Sequence, residues 1–418
     1  MSAAGLDPVP LGLVPDGDRD PRPEAAPGGG ALAALACGAA AMFAVMYSTQ
    51  AVLPRVASDF DVPSAVAGLT ISVVVLGVAI GGWLLGPLSD RVGRKRVKVG
   101  SGLALIVPTA LLAVAPDIQT VLALRLAQGL CMPGLLSVAV PYLHERFPPS
   151  RVGFATGLYT TALVAGGLLG RVVPAAFADG WGWQVGLAVL ALPLALGMAA
   201  MARWVPGDEP HPIDRATGRA VRLHLRNPAL LLVTLAGGAT VFTYAATFSY
   251  VAFRLEGQPF DLSTRAVGLV FAVWAVGLLA PVVGRHGARV GPERLLPACA
   301  ALGLAACLLE RSGALPVLVL GLALTALALF ATLTLCQLLV PRSVTHNRGV
   351  AATIYLTGYY GAAALGAFLP GEAWDAAGWD GVLLAAAGAL GIALLAGLVL
   401  RRHLARTAVD VRTPTGIA

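Results

Sequence analysis

Charge is scarce in this sequence. Only 12% of its 418 residues are Asp, Glu, Lys or Arg, and 57% are hydrophobic, whereas a soluble domain carries about a quarter charged residues. One water-soluble core cannot bury that much apolar surface, so a soluble globular fold is excluded. Acids are scarcest inside the apolar runs: of the 22 Asp and Glu residues, Asp90, Glu372 and Asp375 stand near run ends, Asp59 and Asp61 stand outside, and none is expected deep within a run. The runs also lack paired carboxylates, a Ser/His/Asp set and a metal-ligand cluster, which argues against an enzyme and against a metal site. No glycine-rich loop ending in Lys-Ser or Lys-Thr is present, so direct drive by ATP is not expected. Redox chemistry is not indicated either, because Cys37, Cys131, Cys299, Cys307 and Cys336 all fall in apolar runs, where they are expected to pack as small hydrophobes.

What the chain does have is length without charge. Residues 31–54 and 66–89 each offer about 20 consecutive apolar or small residues, the length a helix needs to cross a bilayer. Apolar runs broken by charge, Pro and Gly predict spans near 31–54, 66–89, 97–115, 118–143, 151–177, 183–204, 228–253, 264–285, 292–310, 314–340, 349–371 and 379–401. The expected fold is an all-α polytopic membrane protein with twelve transmembrane helices in two pseudo-symmetric six-helix bundles, 31–204 and 228–401. A disordered tail over 1–30, a cytoplasmic linker over 205–227 and a cytoplasmic tail over 402–418 complete the division. No basic region precedes the first run and no small-residue cleavage site follows it, so 31–54 reads as a retained span.

The net charge of +7 has a topological explanation that does not involve nucleic acid. With both termini in the cytoplasm, the inside segments hold 23 of the 29 Lys and Arg residues; Arg55, Arg254, Arg265 and Arg311 lie outside, and Arg125 and Arg171 lie within spans. Cytoplasmic loops collect such residues, which supports a multi-pass protein of the plasma (inner) membrane. The basic stretch from Arg215 to Arg226 is expected to rest on the inner membrane surface.

The two halves resemble each other. "GPLSDRVGRKR" at 86–96 aligns without a gap to "GRHGARVGPER" at 284–294, and Gly153, Tyr159, Gly170, Pro174, Asp179 and Trp183 match Gly349, Tyr355, Gly366, Pro370, Asp375 and Trp379, all at an offset of 196. Two parallel repeats imply a pseudo-twofold axis along the membrane normal, a cavity between the halves and motion of one half against the other.

Within 86–96, Gly93 permits a sharp reversal, and Arg94, Lys95, Arg96 and Lys98 are expected to face water or headgroups. Orientation explains the basic residues but not Asp90, which could pair with Arg91 or Arg94 or cap a helix of the other half. The pattern G-x-L-x-D-R-x-G-R-K, here Gly86, Leu88, Asp90, Arg91, Gly93, Arg94 and Lys95, closely resembles the loop signature of the major facilitator superfamily. In span 4, Arg125, Gln128 and Gly129 are similar to the family's R-x-x-Q-G, and "YSTQAVLP" at 47–54 and "GGLLGRVVPA" at 166–175 look most like its bacterial efflux branch related to arabinose-efflux permeases. The resemblance implies that Asp90 latches the outward-facing state and that Arg125 helps proton or conformational coupling. The family's span-5 antiporter motif commonly has Pro after its glycine; here Arg171 stands there and Pro174 follows three residues later, which weakens an inference of drug antiport.

A charge near mid-span costs at least about 2.5–3.5 kcal/mol on insertion scales, so Arg125 should face the interior, either coupling the cycle or bonding backbone carbonyls, with Gln128 one turn away. Arg171 should either snorkel to the outer surface or present its charge to an anionic substrate. Tyr47, Gln50, Tyr159, Tyr244, Gln337, Tyr355 and Tyr359 are further candidate substrate contacts. Gly77 and Gly81, Gly82 and Gly86, and Gly166 and Gly170 stand four apart and predict close helix packing.

The expected activity is secondary export of a small organic molecule by alternating access, in antiport with protons, with no cofactor beyond the proton gradient. Asp90, Arg125 and then Glu372 are the candidates for coupling. An importer, an uncoupled facilitator or a transport-inactive sensor are the alternatives. The expected partners are the substrate, the proton and the bilayer, and the expected working unit is a monomer.

Overall fold

The computed structural model describes residues 29–135, 149–207 and 218–410. The tail before residue 29, linker residues 208–217, the last eight residues and part of the predicted fourth span (136–143) lie outside them. Among the described residues there are helices and no strand. In chain order they are α1 (Gly29–Met46), α2 (Leu53–Asp59), α3 (Ser64–Val92), α4 (Arg94–Leu111), α5 (Ile118–Cys131), α6 (Pro149–Phe177), α7 (Trp183–Val189), α8 (Ala191–Trp204) and α9 (Gly218–His224). The second half continues with α10 (Pro228–Glu256), α11 (Thr264–Val270), α12 (Ala280–Val290), α13 (Pro292–Glu310), α14 (Leu315–Leu339) and α15 (Arg348–Asp410).

Ten stretches among the described residues are long and apolar enough to cross a membrane. Large apolar side chains such as Leu84, Leu192, Leu308, Leu384 and Leu395 lie exposed on them. So much exposed Leu is untenable in water and ordinary against lipid tails, which are as apolar as Leu itself. The multi-pass membrane reading follows from this surface.

Local chemistry sets the helix ends. Asp117 accepts the Thr120 N–H at 2.7 Å at the start of α5, Asn227 accepts the Leu230 N–H at 3.1 Å at the start of α10, and Ser263 accepts the Ala266 N–H at 3.3 Å at the start of α11. Each cap satisfies one of the donors that a helix start leaves open. Linker helix α9 leaves Arg219 and Arg222 exposed and buries Ala220 and His224.

Three elements depart from uninterrupted spans. The predicted helix 31–54 stops at Met46, turns, and resumes through a 3-10 turn at Gln50–Val52 into α2. The predicted helix 264–285 contains a 3-10 stretch over Phe271–Leu279, a tightening that often marks a hinge. At the C-terminus, helix runs on to Asp410, where a tail was expected from 402, and is broken at Gly378 (φ 59°).

The internal duplication reappears in the backbone. Gly93 (φ 96°) ends α3 and starts α4, and Gly291 (φ 103°), 198 residues on, does the same for α12 and α13. Only glycine takes such a conformation without strain. Gly182 pairs in the same way with Gly378, and Asp61 (φ 50°) with Asp261 (φ 46°). Packing repeats as well: a Cβ on Gly170 would stand 2.1 Å from the Ala44 carbonyl oxygen, and one on Gly366 would stand 2.4 Å from that of Phe242. These contacts press α6 onto α1 and α15 onto α10.

Two of the three predicted small-residue faces are real contacts, whereas at Gly82 and Gly86 an added Cβ would meet nothing within 4 Å. Gly77 and Gly81 of α3 lie against the backbone of α5, and Gly166 lies against Ala40. A Cβ on Gly129 would be 2.1 Å from the Val74 carbonyl oxygen, a clash with backbone that neither helix can relieve by a rotamer change. Gly129→Ala should therefore cost about 1–3 kcal/mol through overpacking, read as a lowered Tm in detergent. Gly100→Ala, with nothing within 4 Å of the added atom, should leave the Tm unchanged.

Candidate functional site

The interruption of α1 creates the first site. A helix that stops inside the protein leaves its last carbonyls without partners, and Arg125, with no exposed surface, reaches across from α5 to take them. It donates to the carbonyls of Val45 (2.8 Å) and Met46 (2.8 Å), to that of Thr70 on α3 (2.9 Å), to Ser48 Oγ (3.3 Å) and to Gln128 Oε1 (2.9 Å). Gln128 Nε2 passes the network on to Thr109 Oγ1 of α4 at 2.9 Å. Of the two uses weighed for Arg125, the geometry shows the hydrogen bonds to backbone carbonyls; no partner is a carboxylate.

The second site lies just beyond the same break. Arg171 of α6 also has no exposed surface, so the reading in which it snorkels to the outer surface does not hold. Its Nε donates to Gln50 Oε1 at 2.8 Å and its Nη2 to the Tyr244 hydroxyl at 2.5 Å, while Nη1 donates to the Gly167 carbonyl of its own helix. The guanidinium carbon sits 4.5 Å from the Trp274 ring centre, 4.9 Å from Tyr47 and 5.5 Å from Phe271. Tyr47, Tyr244 and Trp274 pack on one another at 5.2–6.2 Å, and Phe43, Phe248 and Phe330 extend the cluster. Arg171, Gln50 and Tyr47 come from the first half, and Tyr244, Phe271 and Trp274 come from the second.

Of the other candidates, Tyr359 is buried, 6.0 Å from the Tyr355 ring and near enough to Tyr47 and Tyr244 to interact electrostatically. Tyr159 and Tyr355 are buried with hydroxyls that have no partner among the described residues. Gln337 is exposed, seven residues past Phe330 on α14 and so about 10 Å further along the helix, apart from the aromatic cluster. Trp274 and Phe271 were not among the predicted residues. Their signal was an aromatic pair three apart in an otherwise aliphatic run.

The halves meet at one end. There Arg55 Nε donates to Thr264 Oγ1 (3.1 Å) across the halves and Arg55 Nη2 pairs with Asp179 (2.9 Å), while Thr264 Oγ1 donates to Glu256 Oε1 (2.6 Å). The second crossing is Ser64 Oγ to Asp375 Oδ1 at 2.8 Å. Deeper along α3, Ser72 Oγ donates to the Ala364 carbonyl (2.8 Å) and Trp83 Nε1 to Thr357 Oγ1 (2.7 Å).

Past the Trp83–Thr357 contact, toward the opposite end, no hydrogen bond between described residues joins the halves. Gly86, Gly153, Gly157 and Gly349 have nothing within 4 Å of an added Cβ, and Phe154 is 70% exposed. Asp90 stands at this end, partly exposed, with neither a hydrogen bond nor an ion pair to any described residue; Arg91 is exposed and Arg94 partly exposed. Lys98, expected to face water, is instead buried, because one further turn carries it along α4 into the protein.

One acid escaped the sequence reading. Glu310, the last residue of α13, is fully buried, accepts a hydrogen bond from Thr325 Oγ1 at 2.6 Å, and through its carbonyl accepts one from Trp379 Nε1 at 2.7 Å. Gly321 makes room for it, since a Cβ there would lie 2.7 Å from Glu310 Cγ. Its place at the end of an apolar run disguised a buried carboxylate as a loop residue.

The described residues form an all-helical membrane protein whose repeated halves meet around an interior polar and aromatic cluster, the architecture of a membrane transporter family. Residues 35–309 match the Major Facilitator Superfamily, and the chain belongs to that family. It is 28% identical to the MFS-type transporter YybF of Bacillus subtilis over 87% of this chain and 91% of that one. It is 29% identical to the inner membrane transport protein YnfM of Escherichia coli, over 87% and 88%. In fold it resembles a bacterial homologue of the human lysosomal transporter Spinster in an inward-facing, occupied conformation, with a TM-score of 0.73 at 15% identity over 92% of this chain and 98% of that one.

Removing the Arg125 side chain with Arg125→Met should leave the Met46 carbonyl and Gln128 Oε1 buried and unpaired, at a cost of about 1–3 kcal/mol each. The expected result is loss of monodisperse protein on size exclusion in detergent. Arg125→Lys, a compact ammonium in place of a planar fork, should recover only part of it.

Proposed function

We propose that the chain is a secondary active transporter of the inner membrane that exports a small organic molecule by alternating access, in antiport with protons. The observation that carries this reading is the Arg171 cluster: side chains from both halves converge on it, beneath an end closed by the Arg55 and Ser64 contacts and above an end where Gly86, Gly153 and Gly349 are uncovered. A substrate held there contacts both halves, so its binding energy can bias their relative position.

Twelve spans in two six-helix bundles fit the described helices when α5 is taken as part of the fourth span and α15 is divided at Gly378. The distribution of Lys and Arg supports both termini in the cytoplasm, which makes the end that carries Asp90 the cytoplasmic one. Asp90, free of partners at that end, then suits a latch that engages only when the end closes. Because the Gly93 turn recurs at Gly291 but Asp90 has Ala288 as its counterpart, the latch belongs to the first half alone.

Proton coupling rests on family membership and on Asp90, since the Arg171 cluster contains no carboxylate among the described residues and Arg125 is bonded within the first half. Cells with and without the gene, compared for accumulation of metabolites and toxic compounds with and without an uncoupler, test direction and drive together. Lower accumulation that the uncoupler abolishes is the expected outcome; higher accumulation would make the chain an importer, and insensitivity to the uncoupler a facilitator. Asp90→Asn should reduce that flux at unchanged abundance in the membrane, and undiminished flux would remove the latch.

A further inference from the structure

We propose that Arg171 and its neighbours form the binding site for an organic anion, a small carboxylate with a flat apolar body. This rests on the transporter reading and names the substrate class of its central site.

The charge balance points to an anion. A guanidinium cut off from water needs a compensating charge or a full set of acceptors. Arg171 has three acceptors, an amide oxygen, a phenol and a carbonyl, all of them neutral, and no described carboxylate lies within ion-pair distance of it. Of the five N–H groups of a guanidinium, these bonds use three, which leaves one on Nη1 and one on Nη2. Arg125 differs in this respect, with five acceptors around it.

Other donors are left over at the same place. Trp274 Nε1 is buried and has no partner among the described residues, and Gln50 Nε2 has only the Tyr244 phenol beside it. Gln50 has no exposed surface and Trp274 is 3% exposed. The Trp274 Nε1 and Arg171 Nη1 atoms converge: they lie 2.6 and 3.2 Å from the single point where a Cβ on Gly167 would stand. Both donors therefore stand beside the bare α-carbon at 167, where neither can satisfy the other. A ligand that only accepts hydrogen bonds reconciles them, and a carboxylate supplies two such oxygens and the missing negative charge.

The surroundings define the rest of the ligand. Tyr47, Phe271 and Trp274 line the guanidinium, and Phe43, Phe248 and Phe330 lie behind them. In the present conformation these rings cover the charge themselves, with cation–π contacts standing in for a counter-ion. A planar apolar group displaces ring from ring at little cost, whereas a polyhydroxylated body would strand its hydroxyls.

The test uses the full chain purified in detergent and the probes benzoate, benzamide, benzylammonium and chloride, read by Trp fluorescence and by Tm. Benzoate should bind saturably, with benzamide and benzylammonium weaker by about tenfold or more. Arg171→Gln should weaken benzoate by a similar factor, and Arg171→Lys should keep part of the affinity. Trp274→Phe, which removes only the Nε1 donor, should weaken benzoate by a few fold at an unchanged Tm without ligand, and it decides the matter if the Arg171 variants do not fold. Equal affinity for benzamide and benzoate, an equal response to chloride, or unaltered benzoate affinity in Trp274→Phe would overturn the assignment. Proteoliposome flux separates the two readings: transport of neutral or cationic solutes without preference for anions would leave the transporter and remove the anion site, while benzoate binding without any flux would do the reverse.

Discussion

The structure turns on an interrupted helix. α1 stops at Met46 in the middle of the protein, and in a bilayer a stopped helix leaves carbonyls that no water can reach. Such a break persists only where the protein supplies donors, and Arg125 supplies them from α5 while also holding α3 and, through Gln128, α4. One side chain therefore ties four helices of the first half to the unwound segment. Beyond the break, Tyr47 and Gln50 are freed from helical geometry to face the second half, and it is on them that Arg171, Tyr244 and Trp274 close.

The two buried arginines show that residue type and burial do not determine a role; the acceptors do. Both are without exposed surface and neither meets a carboxylate among the described residues. Arg125 is surrounded by carbonyls, an amide and a hydroxyl contributed by a single half, so its bonds gain nothing from motion between halves. Arg171 takes two bonds from the first half, through Gln50 and the Gly167 carbonyl, and one from the second, through Tyr244, and otherwise rests on rings. The first arrangement stabilises a fold, and the second can be remade around an occupant.

Much of this was legible in the sequence, and the rest was hidden for identifiable reasons. Span positions follow from apolar length, and the Gly93 and Gly291 turns follow from a repeated glycine whose conformation no other residue tolerates. The interruption of α1 contains neither Gly nor Pro; its trace is the polar run Ser48, Thr49, Gln50, which also reads as an ordinary cavity lining. The burial of Arg171 was undecidable because the direction of a side chain on a fully apolar helix leaves no periodic signal. Lys98 was misjudged and Glu310 passed over for the same reason from the opposite side: position near a span end says nothing about which way the side chain turns, and a neighbour such as Gly321 that makes room for Glu310 is remote in sequence.

The duplication is exact in its turns and unequal in its charges, and this inequality bears on how the two ends hold together. At the closed end both halves contribute an acid at corresponding positions, Asp179 and Asp375, and both contribute a hydroxyl at the start of a helix, Ser64 and Thr264. Asp375 accepts from Ser64 directly, whereas Asp179 reaches Thr264 only through Arg55, so each crossing pairs one charged group with a hydroxyl. Arg265 adds a bond to the Ala176 carbonyl at 3.5 Å. Hydrogen bonds to charged groups are worth about 1.5–3 kcal/mol each, and a few of them over packed helices can be broken and remade as the ends open in turn. At the other end the second half has Ala288 in place of Asp90, and its own acid, Glu293, stands past the turn beside Arg294. The latch we propose for that end is thus one-sided, and the two ends differ in kind.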